Sequence, residues 1–492
     1  MKTTKFLAID LGASSGRGIV GSFDGKKITL AENHRFPNEP VMAAGQYTWD
    51  ILRIFHEIKN SIRKCALGDD KDIRSIGIDT WGVDFGLLDK SGHLLANPVH
   101  YRDARNDEMP EYAATIVDPA YVYEKTGIQV VDFNTLYQLL AVKKNSPELL
   151  DVASDMLFVP DLLNYFLTGV KQTEYTIAST SQLLDAKARD WSWDLIGKFG
   201  LPKKLFSNIV MPSTPVGKLR ADVLEEIGNI DAGVVSVAAH DTGSAVMAVP
   251  ATGEKFIWIS SGTWSIMGTE AKEPVISEAS HRCNFTNEGG AGRTIRFSKN
   301  ITGLWLEQES RRQWEREGEK ISFADLSDMA VASKPFKCFI DPDDPRFAAP
   351  GNLPKRIVEY CRETGQQAPE TKGETVRCIL ESLALKYRYT VDMIDELGGE
   401  RLPMINVVGG GTKEEPLMQF TANACGRPVA AGPIEATALG NIVAQAIAAG
   451  EIKDVKEGRQ VISDSFDISY YSPKDVGAWD AAYETFRKVT KC

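Results

Sequence analysis

Apolar residues in the first part of the chain follow the spacing of alternating strands and helices. Apolar runs at Lys5–Ile9, Gly18–Phe23 and Ile28–Phe36 predict three strands. Apolar positions at helical spacing between Ile51 and Ile62 then predict a helix, and Ile73–Asp79 predicts a further strand. The predicted order is therefore three strands, one helix and one strand.

A similar pattern begins again near Phe256. Apolar runs on either side of Ser260–Thr263 predict two strands joined by a turn of small residues, as at Asp10–Arg17 in the first half. A chain of 492 residues is also too long for one ordinary core. The sequence thus predicts two α/β domains, 1–248 and 249–492, divided between Ala245 and Lys255. The other elements predicted in the second half are helices at 303–317, 374–397 and 435–449 and a strand at 405–408.

Composition excludes several classes of function. The net charge is −11 and there is no long basic run, which argues against nucleic-acid binding. No stretch approaches the ~20 apolar residues of a membrane span, and the apolar run at the N-terminus is too short for a signal peptide. Seven scattered cysteines without a CxxC pair favour a reducing, cytoplasmic location. Cys361 and Cys378 can meet in space, although buried free thiols are the simpler interpretation.

The segment Asp10–Arg17 has the composition of a phosphate-binding loop. A hairpin of small residues exposes backbone N–H groups that can bind phosphate oxygens, and Ser14, Ser15 and Arg17 add donors. Asp10, at a strand end, can hold Mg²⁺ through its water shell. The alternative is a plain β-turn in which the aspartate only bonds neighbouring amides. Ser260–Thr263 repeats the pattern, so the two loops together indicate two domains that bind one polyphosphate.

Two further strand ends carry candidate substrate-binding residues. His240 and Asp241 follow an apolar strand, where open α/β sheets place their ligands. A carboxylate there can accept the proton of a hydroxyl that attacks a phosphate, or can simply cap the next helix. Asp79, Trp81 and Asp84, beside Gly82, have the chemistry of a sugar site, or belong to a buried strand. Gly409-Gly410-Gly411 indicates backbone that passes close to a flat group such as adenine.

Taken together, these segments resemble the FGGY carbohydrate kinases of the actin-like ATPase superfamily. Asp10-Leu11-Gly12, His240-Asp241-Thr242, Ser261-Gly262-Thr263 and the triple glycine occur in that family's order and spacing over nearly the whole chain. A second group of segments, on the substrate side of the family's site, narrows the resemblance to one member of the family. That set comprises 34–36, 77–85, 101–103, 134–139, 287–290 and 303–306.

The resemblance implies a fold, two substrates and a set of site residues. The fold would be two actin-like (ribonuclease H-like) α/β domains with a cleft between them, and the substrates ATP with Mg²⁺ and a ketose. Asp241 would be the catalytic base. Residues implied in sugar binding are Gly82, His240, Asp241 and Thr242; those implied in nucleotide binding are Ala13, Ser14, Ser15, Gly16, Arg17, Thr263, Asn300, Gln308 and Gly410, with Asp10 near the metal.

One departure from the family pattern concerns the adenine site. The family often carries an Asn shortly after the triple glycine, and here Glu414 occupies that position. The family's side-chain contact to the base is therefore not implied for this chain, nor is a strict preference for ATP over other nucleotides, whereas the backbone of Gly410 can still form the adenine shelf.

Two alternatives remain open from the sequence. Another FGGY kinase, acting on fuculose, xylulose or a polyol, shares the phosphate loops. A non-catalytic, actin-like nucleotide switch would use the same loops without a sugar. We expect no nucleic-acid or membrane partner, and a monomer or small homo-oligomer.

Overall fold

We describe the protein from a computed structural model that covers residues 3–251 and 253–491. The predicted domain ranges also include Met1, Lys2, Thr252 and Cys492, which lie outside the described residues.

Strands and helices alternate along the whole chain. The strands are β1 (Thr4–Leu11), β2 (Ser15–Phe23), β3 (Ile28–Pro37), β4 (Val41–Ala43), β5 (Gln46–Thr48), β6 (Ser75–Thr80), β7 (Phe85–Leu88), β8 (Asp155–Phe158), β9 (Thr173–Glu174), β10 (Leu184–Asp185), β11 (Asp190–Trp191), β12 (Ile209–Val210), β13 (Thr214–Lys218), β14 (Gly233–Ser236), β15 (Ile257–Ser261), β16 (Trp264–Ala271), β17 (Thr286–Gly289), β18 (Ile295–Thr302), β19 (Ile405–Val408), β20 (Val429–Ala431) and β21 (Ser469–Tyr471). The helices are α1 (Ile51–Leu67), α2 (Met109–Ala114), α3 (Pro119–Thr126), α4 (Thr135–Asn145), α5 (Pro147–Val152), α6 (Val159–Thr168), α7 (Tyr175–Ser179), α8 (Trp193–Lys198), α9 (Ala221–Ile227), α10 (Asp241–Met247), α11 (Glu278–Arg282), α12 (Trp305–Arg316), α13 (Phe323–Ala332), α14 (Leu353–Glu363), α15 (Lys372–Gly398), α16 (Glu415–Cys425), α17 (Ala436–Ala448), α18 (Val455–Ser465) and α19 (Val476–Thr490). Short 3₁₀ segments lie at Ala104–Asn106, Lys203–Leu205, Ala291–Arg293, Pro345–Phe347 and Gly410–Lys413.

These elements form two compact units, and neither is continuous in sequence. The first contains the described parts of 1–248, 270–297 and 436–465, and the second those of 249–269, 298–435 and 466–492. Two segments from the second half of the chain thus fold with the first half. A single division along the chain does not describe this arrangement.

The first unit contains a six-stranded sheet of order β13-β14-β6-β1-β2-β3. β1 pairs antiparallel with β2 and parallel with β6, and β6 pairs parallel with β14. The side chains of Phe6–Ile9 are fully buried, as expected for a central strand that is covered on both faces. The prediction of three strands, a helix and a strand is confirmed as β1, β2, β3, α1 and β6. The exposed β4–β5 hairpin between β3 and α1 was not predicted.

The local sequence explains how α1 starts and which face it buries. The Asp50 side chain accepts a hydrogen bond from the Arg53 amide, which satisfies one of the free N–H groups of the first turn. Ile51, Ile54 and Ile58 recur at helical spacing and are buried in the core beside the sheet.

In the second unit, β15 pairs antiparallel with β16 and parallel with β19. β20 pairs parallel with β19 and antiparallel with β21. The predicted strand at 405–408 is β19, and the predicted helices at 303–317, 374–397 and 435–449 are α12, α15 and α17. The element predictions for the second half are therefore confirmed, with small shifts at the ends.

Three cysteines of the second unit lie together. The sulfur atoms of Cys338, Cys361 and Cys378 lie within 4.8 Å of one another, and all three side chains are buried. Each is a free thiol in this structure. Cys361 and Cys378 thus do meet in space, and the simpler interpretation of buried free thiols fits both residues.

No helix among the described residues is both long and apolar enough to cross a membrane.

Gly440 allows α17 to approach α10 very closely. A Cβ atom at Gly440 would lie 1.8 Å from the backbone oxygen of Ser244 in α10, a distance that no side chain can accommodate. We predict that Gly440→Ala lowers stability by at least about 1–3 kcal/mol, the usual range for overpacking. Gly477→Ala is the matched control, because a Cβ at this position in α19 meets nothing within 4 Å. Thermal unfolding of both variants checks this, and equal melting temperatures would contradict it.

Candidate active site

The β1–β2 hairpin brings Asp10 and Arg17 together. The two residues are cross-strand partners, and Nη2 of Arg17 lies 2.5 Å from Oδ2 of Asp10. Between them, Ala13 and Ser14 are exposed, whereas Gly16 is buried against the Phe36 ring, with no room for a Cβ. The hairpin thus presents an exposed tip of small residues, and its base carries one aspartate–arginine ion pair.

Asp79 lies beside Asp10, because β1 and β6 run parallel and the two residues are in register. Asp79 is fully buried, and its Oδ2 accepts a 2.6 Å hydrogen bond from Nδ2 of Asn441 on α17. Its Oδ1 has no hydrogen-bond partner. Burial, followed by the nearby charges of Asp10 and Asp241, raises the pKa of Asp79 well above its usual value. The three carboxylates therefore lie close enough to affect one another.

Asp241 is the first residue of α10, and His240 is the N-cap residue. Oδ1 of Asp241 accepts hydrogen bonds from the amide (2.5 Å) and hydroxyl (3.1 Å) of Thr242. The alternative that Asp241 is the N-cap of this helix is therefore wrong by one position. Its side chain is 32% exposed, so a ligand can reach the carboxylate.

His240 and Gly82 lie beside Asp241. Nε2 of His240 is 3.5 Å from Oδ1 of Asp241, and a Cβ at Gly82 would lie 3.4 Å from the same Nε2. On its other side, Nδ1 of His240 lies 3.1 Å from Oε2 of Glu288 and 3.0 Å from Nη2 of Arg296. Thus the structure brings Gly82, His240, Asp241 and Thr242 together. Glu288 and Arg296 were given no role in the prediction, although 287–290 contributed to the family resemblance.

The Glu174 side chain forms hydrogen bonds with backbone amides, including that of the residue before His240. It is fully buried, and its carboxylate accepts hydrogen bonds from the amides of Thr176, Ile177 and Ala239. The Thr176 hydroxyl then accepts a hydrogen bond from the His240 amide. Burial raises the pKa of Glu174 to about 7. No sequence motif marked this residue, because its link to the His240 loop is made through Ala239, 65 residues further along the chain.

Trp81 and Asp84 belong to a buried network. The indole N–H groups of Trp49 and Trp81 both donate to Oδ2 of Asp84, at 2.6 and 3.0 Å, and Nε2 of Gln138 donates to Oδ1 at 2.8 Å. Trp81 is 6% exposed and its ring lies 4.0 Å from that of Trp49. The interpretation of these residues as sugar ligands is not supported, and the alternative of core packing fits the structure.

The second unit contains the remaining predicted nucleotide residues. The Thr263 hydroxyl donates to Oε1 of Gln308 at 3.1 Å, which brings these two together. Asn300 lies on β18 and Gly410 begins a 3₁₀ segment; neither takes part in that hydrogen bond. A Cβ at Gly410 would meet nothing within 4 Å, so the backbone there faces open space.

The Glu414 side chain is bonded within the second unit and is not available to contact adenine. Its carboxylate oxygens accept hydrogen bonds from the Ser327 hydroxyl of α13 at 2.8 and 2.9 Å. The residue is 6% exposed, and burial raises the pKa of its carboxyl group. The Glu414 carboxylate is therefore already engaged by Ser327.

Comparison with known proteins identifies the class. The profile of the FGGY family of carbohydrate kinases, N-terminal domain, matches residues 5–248, and that of the C-terminal domain matches 257–449. The chain therefore belongs to the FGGY family of carbohydrate kinases. The prediction of a phosphate-transferring sugar kinase that uses ATP is confirmed at this level.

Individual relatives show which carbohydrate kinases of the family this chain is similar to. The chain is 45% identical to a rhamnulokinase of Bacteroides thetaiotaomicron, with 99% of each chain covered. It is 44% identical to one of Halalkalibacterium halodurans (95% of this chain, 99% of that one) and 40% identical to one of Bacillus subtilis (96% of each).

Solved structures confirm the predicted α/β fold of two domains. Xylulose kinase from Lactobacillus acidophilus matches with a TM-score of 0.82 at 16% identity, over 99% of this chain and 97% of that one. Glycerol kinase from Plasmodium falciparum matches with a TM-score of 0.80 at 17% identity, over 100% and 99%. At these identities the likeness concerns the fold alone.

We predict that Glu174 makes stability depend on pH. Its pKa is higher in the folded protein (about 7) than its ordinary value of 4.5, so the folded state holds the proton more tightly. The wild type should therefore lose stability, by up to about 3 kcal/mol, as pH rises from about 4.5 to 7. Glu174→Gln has no proton to lose, so its stability relative to the wild type should rise over that range. Denaturant unfolding at both pH values checks this; a pH-independent difference would contradict it.

Proposed function

We propose that the protein transfers the γ-phosphoryl group of ATP to the 1-hydroxyl of L-rhamnulose, giving L-rhamnulose 1-phosphate and ADP in L-rhamnose breakdown. The observation that carries this proposal is the identity of 39–45% with rhamnulokinases over nearly the whole chain. The arrangement around Asp241 supplies the chemistry that such a reaction needs.

Asp241 is the catalytic base in this proposal. Its carboxylate is partly exposed, and the two Thr242 hydrogen bonds fix its orientation. It accepts the proton of the sugar hydroxyl as that oxygen attacks the γ-phosphorus, and ADP leaves with the bond electrons. Asp79, in contrast, is fully buried and its raised pKa disfavours the ionised form that a base requires.

Gly82, His240 and Thr242 bind the ketose in this proposal. A side chain at Gly82 would lie 3.3 Å from Thr180 and 3.4 Å from Nε2 of His240. Glycine therefore keeps open the space in front of the His240 ring, where a sugar hydroxyl can form a hydrogen bond.

The phosphates and the base of ATP have separate proposed contacts. The exposed hairpin tip binds phosphate oxygens through backbone N–H groups and through Ser14, Ser15 and Arg17. Thr263, Gln308 and the open backbone at Gly410 bind the rest of the nucleotide. The further residues proposed for this site are Ala13, Gly16 and Asn300.

A divalent cation fits the aspartates of β1 and β6. Oδ1 of Asp79 is buried without a hydrogen-bond partner, and Asp10 lies in register beside it. Carboxylate oxygens are ligands that Mg²⁺ prefers, so we propose that Asp10 and Asp79 hold Mg²⁺, directly or through water. When bound, the ion neutralises charge on the phosphates.

The location and assembly of the protein are also proposals. Because ATP is a substrate, we place the enzyme in the cytoplasm. We expect a monomer or small homo-oligomer.

Asp241→Asn tests the mechanism. The amide cannot accept the hydroxyl proton, so we predict that kcat falls by about 10²–10⁴-fold or more, whereas the fold and nucleotide binding persist. Steady-state turnover and calorimetric titration with an ATP analogue measure the two effects. Asp231→Asn, at an aspartate whose side chain is 93% exposed, is the matched control and should keep wild-type turnover. Near-normal turnover of Asp241→Asn would refute the assignment.

A substrate panel tests the specificity. We predict the highest kcat/KM for L-rhamnulose among L-rhamnulose, L-fuculose, D-xylulose and glycerol, measured by coupled ADP release, and a phosphate at C1 by NMR of the product. A preference for another sugar would replace the proposed substrate. ATP turnover that no sugar stimulates would favour the nucleotide switch.

A further inference from the structure

The imidazole of His240 meets two charged side chains through a single ring nitrogen. Oε2 of Glu288 and Nη2 of Arg296 lie 3.1 and 3.0 Å from Nδ1, and these two atoms are themselves 2.8 Å apart. The three groups therefore form a tight triangle. The opposite ring nitrogen, Nε2, faces Asp241 and Gly82.

Both partners of His240 are held rigidly. Glu288 lies on β17 and Arg296 on β18. The Arg296 side chain is fully buried, and its Nε donates to the Gly289 carbonyl at 2.9 Å. The amide of Gly289 donates to the Ser179 hydroxyl at 2.7 Å. Both hydrogen bonds involve the backbone of Gly289, the residue after Glu288, so they fix the Arg296 side chain and the β17 backbone beside Glu288.

Glu288 is ionised. Burial opposes the charge, but Arg296 and His240 outweigh it and lower the pKa of Glu288 to about 2. A guanidinium group is always charged and has only donors to offer. The triangle therefore contains one strong acceptor, one obligatory donor and a ring nitrogen that can be either.

The hydrogen positions follow from this composition. If Nδ1 carried a lone pair, Arg296 could donate to it at 3.0 Å, but the lone pair would also face the ionised carboxylate oxygen of Glu288 at 3.1 Å, and that oxygen would lose one donor. At Nε2 the nearest carboxylate oxygen, Oδ1 of Asp241, is 3.5 Å away and already accepts two hydrogen bonds from Thr242, so it demands a hydrogen less strongly. If Nδ1 carries the hydrogen, it donates to Oε2 of Glu288 in a charge-assisted bond, and Arg296 donates to the same oxygen. In a neutral ring the hydrogen at Nδ1 leaves Nε2 with the lone pair.

We propose that Glu288, itself held by Arg296, is a positioning residue that fixes His240 as the Nδ1–H tautomer, so that Nε2 accepts a hydrogen bond from a sugar hydroxyl. The tautomer itself is a property of the free protein. Its consequence for the sugar rests on the proposed function.

The first test measures the tautomer directly. Long-range ¹H–¹⁵N spectra of ¹⁵N-histidine-labelled protein, without sugar or nucleotide and at a pH where the ring is neutral, distinguish protonated from unprotonated ring nitrogens. The chain has six histidines, and the signal lost in His240→Gln assigns the ring. We expect a protonated Nδ1 and an unprotonated Nε2. A protonated Nε2 in the wild type would overturn the proposal.

The second test uses Glu288→Gln, whose amide N–H₂ can donate to Nδ1 and so favours the opposite tautomer. We expect the hydrogen to move to Nε2 and the KM for L-rhamnulose to rise about tenfold or more, whereas the KM for ATP stays unchanged. Glu288→Asp keeps the carboxylate and should keep the Nδ1–H tautomer. If Glu288→Gln does not fold, the tautomer measured in Glu288→Asp still tests the role of the carboxylate.

Glu270→Gln is the matched control, because Glu270 forms a comparable buried ion pair, with Arg459 at 2.6 Å, and is not in contact with His240. It should change neither the tautomer nor the KM for the sugar. An unchanged tautomer in Glu288→Gln would overturn the positioning role. A changed tautomer with an unchanged sugar KM would overturn only its consequence for binding. A failure of the rhamnulose assignment in the substrate panel leaves the spectroscopic result intact.

Discussion

The packing of α17 on the central strands of the first unit holds its acidic residues in place. Nε2 of Gln445 donates to the Leu7 carbonyl of β1 at 3.0 Å, and Nδ2 of Asn441 donates to Asp79 of β6 at 2.6 Å. Gly440 allows the same helix to contact α10, which begins at Asp241. One helix from the second half of the chain thus contacts β1, β6 and α10, the elements that carry Asp10, Asp79 and Asp241.

Burial gives two of these carboxylates different properties. Asp79 is fully buried against α17, and only one of its two carboxylate oxygens is hydrogen-bonded. A negative charge on this carboxylate is therefore energetically costly unless a cation compensates it. Asp241 is partly exposed and receives its hydrogen bonds from its own neighbour. A group that holds a cation benefits from the first environment. A group that must accept a proton from an incoming substrate needs the second.

Much of the fold could be predicted from the sequence, because its strands and helices have clear apolar periodicity. The position of α17 could not, since its composition indicates burial but not which strands it covers. Trp81 and Asp84 show another limit: an aromatic residue and a carboxylate at a strand end suit both a sugar site and a core. Only the distant partners Trp49 and Gln138 distinguish the two.

The residues of the candidate site also fall into those that the sequence indicates and those that it does not. Residues in continuous motifs, such as His240-Asp241-Thr242, could be proposed as site residues from the sequence, because each motif carries its own chemistry. Glu174 and Arg296 could not, because they act through backbone amides or another side chain and their types alone are unremarkable in a strand. Glu174 accepts a hydrogen bond from the Ala239 amide, and Arg296 contacts the His240 ring. Neither is bonded to Asp241 in the hydrogen bonds described above. The orientation of the proposed site residues therefore depends on side chains that local sequence patterns do not reveal.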